Sequence, residues 1–99
     1  MHAQRRCTEA DPLLREALAI RLGKLDAESD KVASAREALG SCLVALRRFG
    51  EAEPLLLASY STLRKQRGDA HEFTRRSRRA LAELYRGWGR PEQALAYTR

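Results

Sequence analysis

The sequence predicts an all-α fold, a short helical solenoid in which antiparallel helix pairs stack side by side. Three observations carry this. The first is an internal repeat. Glu9-Ala10-Asp11-Pro12-Leu13-Leu14 recurs as Glu51-Ala52-Glu53-Pro54-Leu55-Leu56, and the step from Pro12 to Pro54 is 42 residues. At the same offset Arg90, Gln93 and Ala94 follow Arg48, Glu51 and Ala52, and Leu81 and Tyr85 follow Leu39 and Leu43. A fixed period of about 20–50 residues marks a stacked array. The second is hydrophobic spacing at i, i+3, i+4 and i+7, the mark of one helical face. The third is composition. Ala, Leu, Glu and Arg, all good helix formers, are abundant, while the 3 Pro and the 6 Gly, apart from Gly40, fall near helix ends. No alternating run predicts a strand.

The first helix is expected over 8–23, with Ala10, Leu13, Leu14, Ala17, Leu18 and Leu22 on one face. Pro12 is expected in its first turn, where a missing N–H is tolerated, and Gly23 at its end. A polar linker follows, in which Ser29 or Asp30 is a candidate cap. The second helix is expected from Lys31 to Arg48, with Val32, Ala35, Leu39, Cys42, Leu43, Leu46 and Phe49 as its apolar face. Gly40 inside it costs about 1 kcal/mol against Ala, which suggests a close helix crossing. A tight turn is expected at Arg48-Phe49-Gly50. The third helix, 51–67, buries Ala52, Leu55, Leu56, Ser59, Tyr60 and Leu63. Asp69 is the candidate cap of the fourth helix, 70–86, whose stripe is Phe73, Ser77, Ala80, Leu81, Leu84, Tyr85 and Trp88. Pro91 opens a fifth helix that is cut short at Arg99.

Ninety-nine residues allow one domain. No apolar run approaches the roughly 20 residues of a membrane span, and Met1 to Asp11 is too polar for a secretory signal. Cys7 and Cys42 lack a CxxC or a second pair, so unpaired thiols in a reduced, cytoplasmic setting are expected. Cys42 falls on the apolar face and reads as a buried, inert thiol. The net charge is +6, and residues 64–99 carry all of the excess, with ten basic groups against four acidic. Either an acidic partner or a solvated basic face accounts for that asymmetry.

The pattern resembles the tetratricopeptide repeat. In the middle copy Leu39-Gly40 match the family's Leu-Gly, and Leu43 takes the usual Tyr position. Ala52 opens the second helix, Leu56 takes the usual Phe position, and Ser59 that of the second Ala. The last copy offers Leu81, Ala82, Tyr85 and Ala94; the first offers a second helix alone, with Ala10, Leu14 and Ala17. Arg36 and Arg78 replace the family's Trp, Arg64 its closing Pro, and the period exceeds the usual value of about 34 residues. The longer period and the acidic linker look like the kinesin-light-chain variety. The resemblance implies one array over 1–99, composed of a second helix (8–23), a full repeat (31–67) and a truncated last repeat (70–99). It also implies a non-catalytic scaffold for a peptide or partner domain. Such repeats occur in larger bacterial signalling proteins, including serine/threonine kinases, and that context is the alternative. Stacking neighbours bury what one helix pair cannot, and neither end shows a polar capping helix. Self-association, or a place in a longer array, is therefore expected.

No catalytic constellation is present. His71-Glu72-Phe73-Thr74-Arg75 begins like HExxH, but Arg75 stands where the second zinc-binding His is needed. No cofactor or metal is expected, and His2 has no partner motif. The family's peptide face, carried onto this sequence, selects Ser34, Glu37, Ser41 and Val44 in the middle copy and Arg76, Arg79, Glu83 and Arg86 in the last. Helical spacing independently places the last four on one stripe. Three guanidiniums suit an acidic peptide or a C-terminal carboxylate, unless Glu83 pairs with Arg79 or Arg86. The run Arg75-Arg76-Ser77-Arg78-Arg79 also invites a nucleic-acid reading. That reading is the weaker one, because Phe73, Tyr85 and Trp88 lie on the apolar stripe rather than on a stacking surface.

Overall fold

A computed structural model describes residues 2–26 and 28–98, the side chains of His2 and Ala3 excepted. Arg99, where the last repeat is expected to end, lies outside the described residues. These residues form helices α1 (His2–Lys24), α2 (Asp30–Ala45), α3 (Phe49–Arg67), α4 (Glu72–Gly87) and α5 (Pro91–Leu95), with no strand among them. The fold is an all-α helical repeat. Each helix packs on its neighbour in sequence, and α2 also packs on α4.

The helix starts differ from expectation in instructive ways. α1 begins at His2, so Pro12 lies in its interior and not in its first turn. Proline has no N–H, so the Thr8 carbonyl has no partner four residues on. Pro54 repeats this inside α3, which starts at Phe49 rather than Glu51. Ser29 caps α2, its hydroxyl accepting from the Lys31 N–H at 3.2 Å. α4 is capped by His71, not Asp69: imidazole Nδ1 accepts from the Phe73 N–H at 3.1 Å. Asp69 instead pairs with Arg64 at 2.9 Å.

The turns repeat with the sequence. α2 ends at Ala45, three residues early, because Arg47 takes a left-handed conformation at φ 61°. The Arg48 N–H bonds the Leu43 carbonyl at 2.8 Å and the Arg47 N–H bonds that of Val44 at 2.9 Å, a Schellman closure. At the end of α4, Arg90 bonds Tyr85 at 2.7 Å and Gly89, at φ 74°, bonds Arg86 at 3.2 Å. Each of these residues stands 42 after its counterpart. Gly50 is therefore a helical residue of α3 and not the turn.

The core is a seam of small and large apolar side chains. Val32, Leu39, Leu43, Leu56, Leu81, Leu84 and Tyr85 are buried in it, with Ala35, Ala52, Ala80 and Ala94 between them. Gly40 does mark a close crossing: a Cβ there would stand 2.7 Å from the Leu56 side chain. One polar chain crosses the seam. The Ser59 hydroxyl donates to the Ala33 carbonyl at 2.8 Å and lies 2.9 Å from the Ser77 hydroxyl. Ser59 has one proton, so Ser77 is the donor of the second bond.

Three expectations about burial fail. Of the face expected on α1 only Leu18 is buried, whereas Leu13 is 67% exposed and Leu22 41%. On α4 the core residue is Thr74 rather than the half-buried Phe73. The cysteines are not separate thiols. Cys7, inside α1 rather than before it, is disulfide-bonded to the half-buried Cys42 of α2, with Cα atoms 5.1 Å apart.

Candidate functional site: the α2 and α4 faces

α2 and α4 are the first helices of successive pairs, and they lie side by side. Ser34, Glu37, Ser41 and Val44 are half-buried on α2, while Arg76, Arg79, Glu83 and Arg86 are exposed on α4. Glu37 on α2 lies within the electrostatic reach of Arg76 on α4. Partial burial pushes its carboxyl above the ordinary carboxylate range. A hydrogen bond from the Ser41 hydroxyl at 3.2 Å and the positive charge of Arg76 across the helix interface oppose that rise. The Val44 side chain packs against the core rather than standing free.

The arginine stripe splits in two. Arg76 pairs with Glu72 one turn back, at 3.4 Å, and its guanidinium lies 5.8 Å from the Phe73 ring centroid. Glu83 makes no ion pair with Arg79 or Arg86 among the described residues. Those two arginines instead line a hollow of about 210 Å³ between α4 and the end of the chain, together with Arg75, Arg78, Tyr97 and Thr98. Arg75 and Arg78 lie outside the expected peptide face and figure as site candidates only in the run that invites a nucleic-acid reading. Their signal was in the sequence, because positions 75, 78, 79, 82 and 86 follow one helical face.

Tyr85, also on α4, stacks on Tyr97 with ring centroids 5.8 Å apart. Its ring is buried, and its hydroxyl donates to Glu53 Oε2 on α3 at 2.8 Å. Burial first, and the adjacent Glu53 carboxylate second, push the phenol well above its ordinary value. Trp88 is half-buried, stacked on Phe49 with centroids 6.1 Å apart and covered by the Arg90 guanidinium at 3.7 Å. Trp88 and Tyr85 are therefore packed, as expected for the apolar stripe. His71 is occupied as a helix cap. No group of three His, Cys, Asp or Glu that could hold a metal occurs among the described residues. No described helix is long and apolar enough to cross a membrane.

Comparison with known proteins agrees with this architecture. No curated protein and no solved structure shows a match to the chain. The family model for the tetratricopeptide repeat matches residues 31–99, which covers α2 to α5 and the turn that closes each first helix. With helix pairs, a Gly40 crossing and a recurring turn in that same stretch, the chain belongs to the tetratricopeptide-repeat family.

Proposed function

We propose that this chain is a non-catalytic interaction module that takes a peptide on a concave, partly basic surface formed by α2 and α4. Tetratricopeptide repeats are in general protein–protein interaction modules. The observation that carries the finer reading is that α2 and α4 lie side by side, which sets Glu37 and the exposed Arg76, Arg79, Glu83 and Arg86 on adjoining first helices. Ser34, Ser41 and Val44 flank Glu37 on α2. The surplus of arginine favours acidic peptides. Peptides selected from a random display library on the wild-type chain should be rich in Asp and Glu. Their binding should fall at least about tenfold on Arg76→Glu, a charge reversal at a contact worth more than about 1.4 kcal/mol. Selection of no peptide, or equal binding to the variant, rejects this reading. The 42-residue period and the turn that recurs with it support assignment to the kinesin-light-chain-like variety.

A second reading places the chain in a larger assembly, either as part of a bacterial signalling protein such as a serine/threonine kinase or as a self-associating array. Leu13 and Ile20 favour it. They are exposed on α1, whereas their counterparts at the repeat offset, Leu55 and Thr62, are half-buried and buried. Light scattering should find the wild type associated and the Leu13→Glu/Ile20→Lys variant monomeric. A monomeric wild type removes self-association. The expectation of a cytoplasmic setting rests on unpaired thiols, and the Cys7–Cys42 bond removes that support.

A further inference from the structure

We propose that the hollow lined by Arg75, Arg78, Arg79, Arg86, Tyr97 and Thr98 is a phosphate site, which takes a phosphate monoester dianion carried on a protein side chain. The volume of about 210 Å³ is open to solvent and large enough for a phosphate with its linking side chain. What sets the site apart is charge without a partner. Arg15, Arg48, Arg64, Arg67 and Arg76 each face a carboxylate. None of the four arginines of the hollow makes a side-chain ion pair or hydrogen bond among the described residues. Arg75, Arg78, Arg79 and Arg86 also repel one another at helical spacing. Such an arrangement is relieved by a bound anion.

The count of donors selects the anion. A single carboxylate carries one negative charge on two oxygens, and among the described residues none meets more than two guanidiniums, as Asp11 meets Arg15 and Arg48. A phosphate monoester carries close to two charges at neutral pH and presents three strong acceptor oxygens, so several forks can close on it at once. Tyr97 adds an uncharged hydroxyl donor to the lining, while the Thr98 hydroxyl donates to the Leu95 carbonyl at 3.2 Å. Acidic side chains stay out of it: Glu72 is engaged with Arg76, and Glu83 does not line the hollow. This inference rests on the interaction-module reading in one respect, that a protein carries the phosphate.

The test uses a fluorescein-labelled pentapeptide, Ala-Ala-phosphoserine-Ala-Ala, with its serine and glutamate versions, followed by anisotropy. The phosphopeptide should bind at least about tenfold more tightly than the glutamate peptide, and Arg75→Gln/Arg78→Gln should weaken it by a similar factor. Arg5→Gln/Arg6→Gln, which removes the same charge elsewhere, should change it less than about twofold, as expected for distant exposed charges. Circular dichroism confirms that each variant keeps its helices. Equal binding of the glutamate peptide, or equal loss in the Arg5/Arg6 control, overturns the proposal. Inorganic phosphate matching the phosphopeptide reassigns the hollow to a free anion, and tighter binding of a single-stranded RNA reassigns it to phosphodiesters; either rejects the proposal as stated. If the phosphopeptide fails while library peptides still depend on Arg76, the interaction module stands and the phosphate site alone falls.

Discussion

Thr74 is 1% exposed, and its Oγ1 meets no hydrogen-bond partner among the described residues. A buried hydroxyl without a partner carries an uncompensated desolvation cost. Thr74→Val keeps the shape and removes the polar atom. Urea denaturation should show a gain of about 1 kcal/mol. Tyr85 differs because its hydroxyl is satisfied by Glu53. Its ionisation is held above the ordinary phenol range, so the folded state prefers the protonated form. The stability this contributes is fully present below pH of about 10 and is lost as pH rises through the raised value. Unfolding followed between pH 9 and pH 11 (about the phenol range) should therefore show a decline. Tyr85→Phe, which has no proton to lose, should decline less.

At the scale of elements, the α2–α3 turn depends on one strained residue. Arg47 holds the left-handed position that Gly89 fills without strain at the end of α4. A non-glycine residue there costs about 1–2 kcal/mol, part of which returns as extra freedom in an unfolded glycine. Arg47 also lays its guanidinium 5.2 Å from the Phe49 centroid, a contact the change would remove. Arg47→Gly should still raise the unfolding free energy by about 0.5 kcal/mol. An equal or lower midpoint would show that the Phe49 contact outweighs the strain. α1 is fastened to the rest by the Cys7–Cys42 bond and by ion pairs in which Asp11 meets Arg48 at 3.3 Å and Arg15 meets Glu51 at 3.7 Å. Such exposed pairs contribute about 0–1 kcal/mol each. The disulfide joins residues 35 apart in sequence and stabilises the fold more than these pairs do. Cys7→Ser/Cys42→Ser, or added dithiothreitol, should lower stability by about 3–4 kcal/mol. Hydrogen exchange should then accelerate first in α1, whose apolar face is the most exposed.

Over the whole molecule, Ser59 is the residue that joins three helices. It lies on α3, donates to α2 and accepts from α4. Ser59→Ala fits the space but leaves the buried Ser77 hydroxyl without its partner and removes the second bond to the Ala33 carbonyl. The expected loss is about 1–3 kcal/mol, with an unchanged urea slope if α2, α3 and α4 unfold as one unit. A reduced slope would mean that the last pair unfolds separately.

Much of this was legible beforehand because it repeats or is local. The 42-residue period marked the repeat, Gly40 marked the helix crossing, and Ser29 marked a cap. All three follow from short-range sterics or from self-similarity within the chain. The charge asymmetry likewise pointed to α4. Helix starts were less legible. Prolines at 12 and 54 suggested first turns, but a helix held by packing tolerates one missing bond. The Cys7–Cys42 bond, the exposure of Leu13 and Leu22, the orphaned Thr74 hydroxyl and the division of the arginine stripe were not legible at all. Each depends on which face of a helix meets which neighbour. The sequence by itself determined that this protein is an array of helix pairs, because a helical spacing of about 3.6 residues and a repeated turn leave little else. Only the tertiary structure decided that Arg75, Arg78, Arg79 and Arg86 share one hollow while Arg76 pairs elsewhere. That choice turns on the position of Tyr97 and Thr98 against α4, a long-range packing outcome that no local spacing encodes.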